Sequence, residues 1–174
     1  KTNGLTPSGA PLDKFHFTFD TEEWEQLSQS GVSTGYGMSF ITLNASLPRQ
    51  VYIRYVQPGS PAFNAGIRRG SRIIEVDGAD LLNGNTQTDF NAFNAGLFPA
   101  SSGESHAFVM LHPGDASNSS FSMSSANVVS SPVLAQEVIT TASGKVGYLM
   151  FNDHIATAEE QLVDAFTDFQ AEGL

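Results

Sequence analysis

The sequence predicts an α+β fold, and three observations carry that expectation. Short segments alternate apolar and polar residues at a period of two, as half-buried strands do. Two other segments, around Phe90–Leu97 and Leu162–Phe169, repeat apolar residues at helical spacing instead. Gly and Pro punctuation separates these segments, and no internal repeat joins them. With 174 residues, 40% of them hydrophobic, the chain can bury a true core.

The elements follow in order. Lys1–Pro11 is polar and reads as a leader or linker. Phe15, Phe17 and Phe19 alternate with His16 and Thr18, predicting a short strand with an aromatic face. Asp20 or Thr21 can cap a helix running to about Gln29, with Glu22 and Glu23 in its first turn and Trp24 and Leu27 on one face. Gly31–Gly37 is predicted to be a flexible loop. Met38–Leu43 and Val51–Tyr55 are strands, and Pro58-Gly59 is a turn. Ser60 caps a short helix with Pro61 at its first position and Gly66 near its end. Arg72–Val76 is a strand closed by Asp77-Gly78. Phe90, Phe93 and Leu97 predict a helix over Thr88–Phe98, and His106–Leu111 is the next strand.

Serines crowd Pro113–Ser131, the best candidate for a domain boundary, although Phe121 and Met123 alternate as in an edge strand. Val133–Ile139 and Val146–Phe151 are strands around a Ser143-Gly144 turn. Thr157 and Glu160 have capping-box spacing for a helix whose apolar stripe is Leu162, Val163, Phe166 and Phe169. A β-turn-β-α unit at the end has a sheet and no far wall, so the chain is expected to be cut inside its second domain.

Composition excludes several functions. Eighteen acidic against eight basic side chains give a net charge of −10, with no basic cluster suited to a phosphate backbone or an anionic membrane surface. No apolar run approaches the roughly 20 residues of a membrane span. The absence of Cys removes disulfides, thiolate metal sites and a cysteine nucleophile. His16, His106, His112 and His154 show no metal-ligand spacing, so neither metal nor cofactor is expected. No serine lies in a Gly-x-Ser-x-Gly elbow. Lys1, Lys14 and Lys145 are the only lysines, and Lys145, beside a turn, reads as a solvated charge. No catalytic residue is therefore assigned. The acidic group Asp20, Glu22, Glu23 and Glu25 most simply complements a helix dipole.

The most informative stretch runs from Ser60 to Gly78: a small-residue helix, a glycine exit at Gly66, a second glycine turn at Gly70, and an apolar strand closed by Asp77-Gly78. It resembles the central signature of a PDZ domain, with Ser71 where that signature usually has an acid. Upstream, Gly35-Tyr36-Gly37-Met38 is similar to the carboxylate-binding loop of the same domains. Glycines suit such a loop because backbone N–H groups can turn inward to form an anion-binding nest without Cβ clashes.

The resemblance implies that a peptide C-terminus adds as a strand beside Met38–Leu43, with the Thr88–Phe98 helix as the other wall. The implied binding residues are Gly35, Tyr36, Gly37, Met38, Ser39 and Phe40, with Phe90, Phe93 and Leu97 opposite. At least one of these last three is expected in the core. Tyr36, Met38 and Phe40 would line the pocket for an apolar last residue.

A wider resemblance takes in Leu12-Asp13-Lys14-Phe15, the acidic-aromatic helix after it, Val146-Gly147-Tyr148-Leu149-Met150-Phe151-Asn152 and the Ala158–Gly173 helix. In this order around the PDZ signature they are similar to the carboxyl-terminal processing (tail-specific) serine proteases. The fold then implied is a PDZ-like, partly open β-barrel or sandwich with two helices. A short N-terminal β/α element (1–32) precedes it, and the PDZ-like domain (33–122) leads into the opening β-β-α of a protease domain (123–174). The implied parent is a bacterial serine endopeptidase of the cell envelope, periplasmic or lipoprotein-anchored, with its serine and lysine beyond this chain. Its partners would be protein C-termini and the rest of its own protease domain. The N-terminal helix would pack there or support a homo-oligomer. Two other readings stand beside it: a non-catalytic PDZ scaffold module, and the PDZ of a trypsin-like stress protease.

Overall fold

The computed structural model describes residues 7, 18 and 20–174, so the aromatic strand expected at Phe15–Phe19 lies outside the described residues. Helix α1 covers Thr21–Ser30, and the Asp20 carboxylate caps it by accepting from the Glu22 and Glu23 N–H groups at 3.0 and 3.2 Å. Gly31 ends it in the left-handed region at φ 70°. A Cβ there would lie 2.8 Å from both the Ser130 carbonyl and Ile155, so the helix stops where the chain is pressed against two distant segments.

The expected flexible loop over Gly31–Gly37 is corrected: Val32–Gly35 forms strand β1, antiparallel to Ala126–Val129. Nothing in Val-Ser-Thr-Gly marks a strand, because the partner that completes its hydrogen bonds lies over 90 residues away.

The main sheet has β2 (Met38–Asn44) at one edge, followed by β3 (Gln50–Val56), β4 (Arg72–Val76), β6 (Ser105–Leu111) and β7 (Ser119–Ser124). Two-residue β5 (Ala79–Asp80) folds back on β4. Helix α2 (Pro61–Asn64) starts on the Ser60 hydroxyl, which accepts from the Phe63 N–H at 3.2 Å. Helix α3 (Gln87–Leu97) starts on a full capping box, Thr86 with Asp89. The serine-rich stretch is two strands, β7 and β8 (Ala126–Val129). Phe121 and Met123 turn inward on β7 while Ser120, Ser122 and Ser124 face out.

The core is built from the inward-facing positions of these strands. Ile53, Ile73, Val76, Phe108, Met110 and Met123 are essentially inaccessible and are closed over by Phe93 of α3. Gly96 lets α3 approach the sheet, since a Cβ there would sit 2.3 Å from Val76. Burying a Phe-sized side chain contributes about 1.5–3 kcal/mol, which makes this cluster the main stabilising feature.

Beyond β8, β9 (Val133–Thr141) and β10 (Gly144–Phe151) form a hairpin packed on α4 (Ala158–Ala171). Phe169 of α4 is buried against Gly147. The expected capping box at Thr157 does not form. Thr157 already has helical backbone angles (φ −82°, ψ 0°), and the Ala158 N–H is taken by the Ile155 carbonyl at 2.9 Å. The apolar stripe expected on α4 also divides: Phe169 and Ala165 face the hairpin, whereas Val163 and Phe166 remain exposed.

Candidate functional site

Among the described residues β2 is one of the two edge strands of the main sheet, and the site lies along it. The chain enters through Gly37, whose φ of 73° and tight contact demand glycine: a Cβ would come within 2.3 Å of Ser60 Cβ. The carbonyls of this turn point into the fold. Tyr36 O accepts from the Ala62 N–H at 2.9 Å, and Gly37 O from the Gln57 N–H at 2.7 Å. Among the described residues, none accepts from the Tyr36 or Gly37 N–H. Pinning the carbonyls on one side leaves these donors available on the other, as an anion nest requires.

These residues open onto a hollow of ≈ 290 Å³. Its walls include Gly35, Tyr36, Gly37, Met38, Ser39 and Phe40, with Leu97 and Phe98 from the end of α3. The Tyr36 ring is turned into the core, 3% exposed and edge-on to Phe108 with centroids 5.3 Å apart. It meets the hollow without offering it much surface. Its buried hydroxyl has no partner, and burial first, then the Asp77 and Glu104 carboxylates, pushes its pKa up to about 12.

The helix residues separate. Leu97 lines the hollow; Phe90 and Phe93 are not among its walls. Phe93 is a core side chain, and Phe90 packs edge-on against it, with the Arg49 guanidinium 5.1 Å from the Phe90 ring. Phe98 is a wall that helical periodicity misses. It follows the last helical residue and precedes Pro99, which disfavours helical backbone there; its angles are φ −130°, ψ 71°. Its ring thereby swings to within 5.6 Å of the Phe40 centroid.

Other candidate groups take structural places. Ser71, at the position the signature usually gives to an acid, is fully buried; its hydroxyl donates to the Arg68 carbonyl at 2.6 Å and lies 2.5 Å from His112 Nδ1. A hydroxyl has one proton, so the His112 Nδ1–H donates to Ser71. With no solvent access, this pair is a clasp for the turn rather than a nucleophile and base. Burial, and secondarily the Arg68 charge, holds the His112 pKa below its ordinary value. Lys145 bonds the Glu172 carbonyl at a hairpin end, and His154, in an exposed loop, packs edge-on against Phe151.

Residues 52–90 match the family model described as a PDZ domain. No curated protein matches the chain. Among solved structures, it is similar to a photosystem II D1 C-terminal processing protease. That match has TM-score 0.55 and 21% identity, and covers 81% of this chain and 38% of the other. It is also similar to a putative S41 protease from Bacteroides fragilis, with TM-score 0.52 and 22% identity over 94% of this chain and 48% of the other. The chain thus spans less than half the length of either structure.

Proposed function

We propose that this chain, which carries a PDZ domain within a fold shared with processing proteases, captures protein C-termini and presents them to a protease domain. The tail adds as a strand on the free β2 edge, and its carboxylate sits at the Tyr36 and Gly37 N–H groups. An apolar last side chain rests against Met38, Phe40, Leu97 and Phe98. The observation that carries this reading is the pair of N–H donors without a described acceptor, placed at the start of an edge strand that pairs only with β3 among the described residues. β-Addition uses main-chain bonds for affinity and pockets for selectivity, and this edge has both.

The proposal extends to the organisation of the parent: a PDZ-like unit over 33–122, the start of a protease domain over 123–174, and a serine nucleophile outside the chain. The parent is a bacterial tail-specific serine endopeptidase of the cell envelope. Among the described residues no helix is long and apolar enough to cross a membrane.

Fluorescence anisotropy with peptides ending in apolar residues tests the capture. Charge-assisted hydrogen bonds contribute about 1.5–3 kcal/mol, so amidating the terminus is expected to weaken binding roughly 10- to 100-fold. Equal binding of acid and amide would refute the carboxylate site. Phe98→Ala removes an exposed wall without touching the core, and is expected to weaken peptides with large apolar termini most.

A further inference from the structure

All five arginines of the chain fall between positions 49 and 72. Three are committed to protein acceptors. Arg49 donates to the Gly84 carbonyl at 2.6 Å, Arg72 to the Arg49 carbonyl at 3.0 Å, and Arg68 to the Asp115 carboxylate at 3.0 Å. Arg54 and Arg69 have no carboxylate partner among the described residues: Arg54 lies 5.6 Å from the Tyr55 ring, and Arg69 Nη1 is 3.9 Å from Met150 Sδ. In a chain of net charge −10, two unpaired guanidiniums at one place are not a general surface property.

The backbone sets them there. Ser39 pairs with Tyr55 and Phe40 with Ile53, so Arg54 is the extra residue of a β-bulge. Arg69 leads into the Gly70 turn, where φ is 83°. Both line a hollow of ≈ 290 Å³ where the main sheet meets the β9–β10 hairpin, together with Tyr55, Met150 and Asn152. Among the described residues, no acidic side chain lines it. Asn152 Nδ2 is buried with no acceptor, although the residue's own N–H is held by the Pro132 carbonyl at 2.8 Å. The hollow therefore joins two fork-shaped cations beside a residue whose side-chain amide is buried without an acceptor.

We infer that this hollow is a carboxylate-binding site, in which Arg54 and Arg69 hold the anion. The planar guanidinium fork matches a carboxylate bidentately, which a pair of lysines could not do. The carboxylate has two possible sources: a free small dicarboxylate, or an Asp or Glu side chain of a captured tail. The second is open to this site because Tyr55 walls both this hollow and the one beside β2.

Malonate, added at ionic strength matched with chloride, probes the first source. It is expected to raise the melting temperature saturably and to move the Asn152 side-chain NH2 signals in a ¹H–¹⁵N spectrum. Arg54→Gln/Arg69→Gln should abolish both effects, while Arg68→Gln, which alters a neighbouring but partnered arginine, should keep them. Apolar-tailed peptides with Glu or Gln upstream of the terminus probe the second source. If it is the natural one, the Glu peptide binds about fivefold tighter and the difference vanishes in the double variant. Either arm supports the site and identifies its source. A malonate effect that survives the double variant, or no arginine-dependent effect in either arm, overturns it. The malonate arm does not involve the β2 groove, so it stands even if no peptide binds.

Discussion

Ser71 and His112 show how much one substitution changes the local physics. An acid at position 71 would carry charge into a site that is fully buried. A serine instead donates one hydrogen bond to the Arg68 carbonyl and accepts another from His112. Protonating His112 leaves its Nδ1–H donor in place but puts charge on a buried ring near Arg68, so the His112 pKa lies below the ordinary value in the folded state. The unfolded chain then binds a proton near pH 6.5 that the folded chain refuses, so stability falls as pH drops below about 6.5. Urea titrations from pH 7.5 to 5.5 should show the wild type losing stability while His112→Gln changes less, so the gap between them narrows. A constant gap would mean that His112 titrates alike in both states.

Helix starts provide the test at the scale of elements. Two Thr-x-x-acid patterns, Thr86–Asp89 and Thr157–Glu160, look equivalent as strings, yet only the first becomes a capping box. Thr86 has extended backbone angles (φ −87°, ψ 161°), which bring its hydroxyl over the Asp89 N–H at 3.2 Å. Thr157 is already in a helical conformation, and the preceding turn uses the first N–H. Thr86→Ala is therefore expected to cost roughly 1 kcal/mol in chemical denaturation. Thr157→Ala should stay within about 0.5 kcal/mol. Equal costs would show that the two helix starts are alike after all. The α3 stripe teaches a similar lesson. Phe90, Phe93 and Leu97 share helical spacing, but each meets a different neighbour: Arg49, the core, and the β2 hollow.

At the scale of the whole molecule, α1, the β1–β8 ladder and the hairpin are tied by a few long-range bonds. Ser130 N–H donates to the Gly31 carbonyl and Ala156 N–H to the Ser28 carbonyl, both at 2.9 Å. These connect the N-terminal helix to segments 99 and 128 residues later. Trp24, the only tryptophan, reports on that helix. Its fluorescence and far-UV circular dichroism should follow a single unfolding transition. Gly31→Val, which drives a side chain into Ser130 and Ile155, should make the tryptophan transition occur first. Separate transitions already in the wild type would show that α1 is not part of the cooperative unit.

Most elements were legible because their signals are local. The Asp20 and Ser60 caps, the Gly66 and Gly70 turns, the alternation in β3 and the apolar runs of β2, β4 and β6 each depend on residues within a few positions of one another. The same locality made Gly35–Met38 readable as a loop whose glycines leave its amides free to turn. What tertiary structure alone decided depends on partners far along the chain. Val32–Gly35 is a strand because Ala126–Val129 supplies its hydrogen bonds. Tyr36 is a core ring because Phe108 packs against it, and Phe98 is a groove wall because Phe40 stands opposite. Arg54 and Arg69 meet only when a bulge and a turn are brought to the hairpin. A side chain's propensities travel with its neighbours in sequence, but its burial and its charge partners are set by neighbours in space.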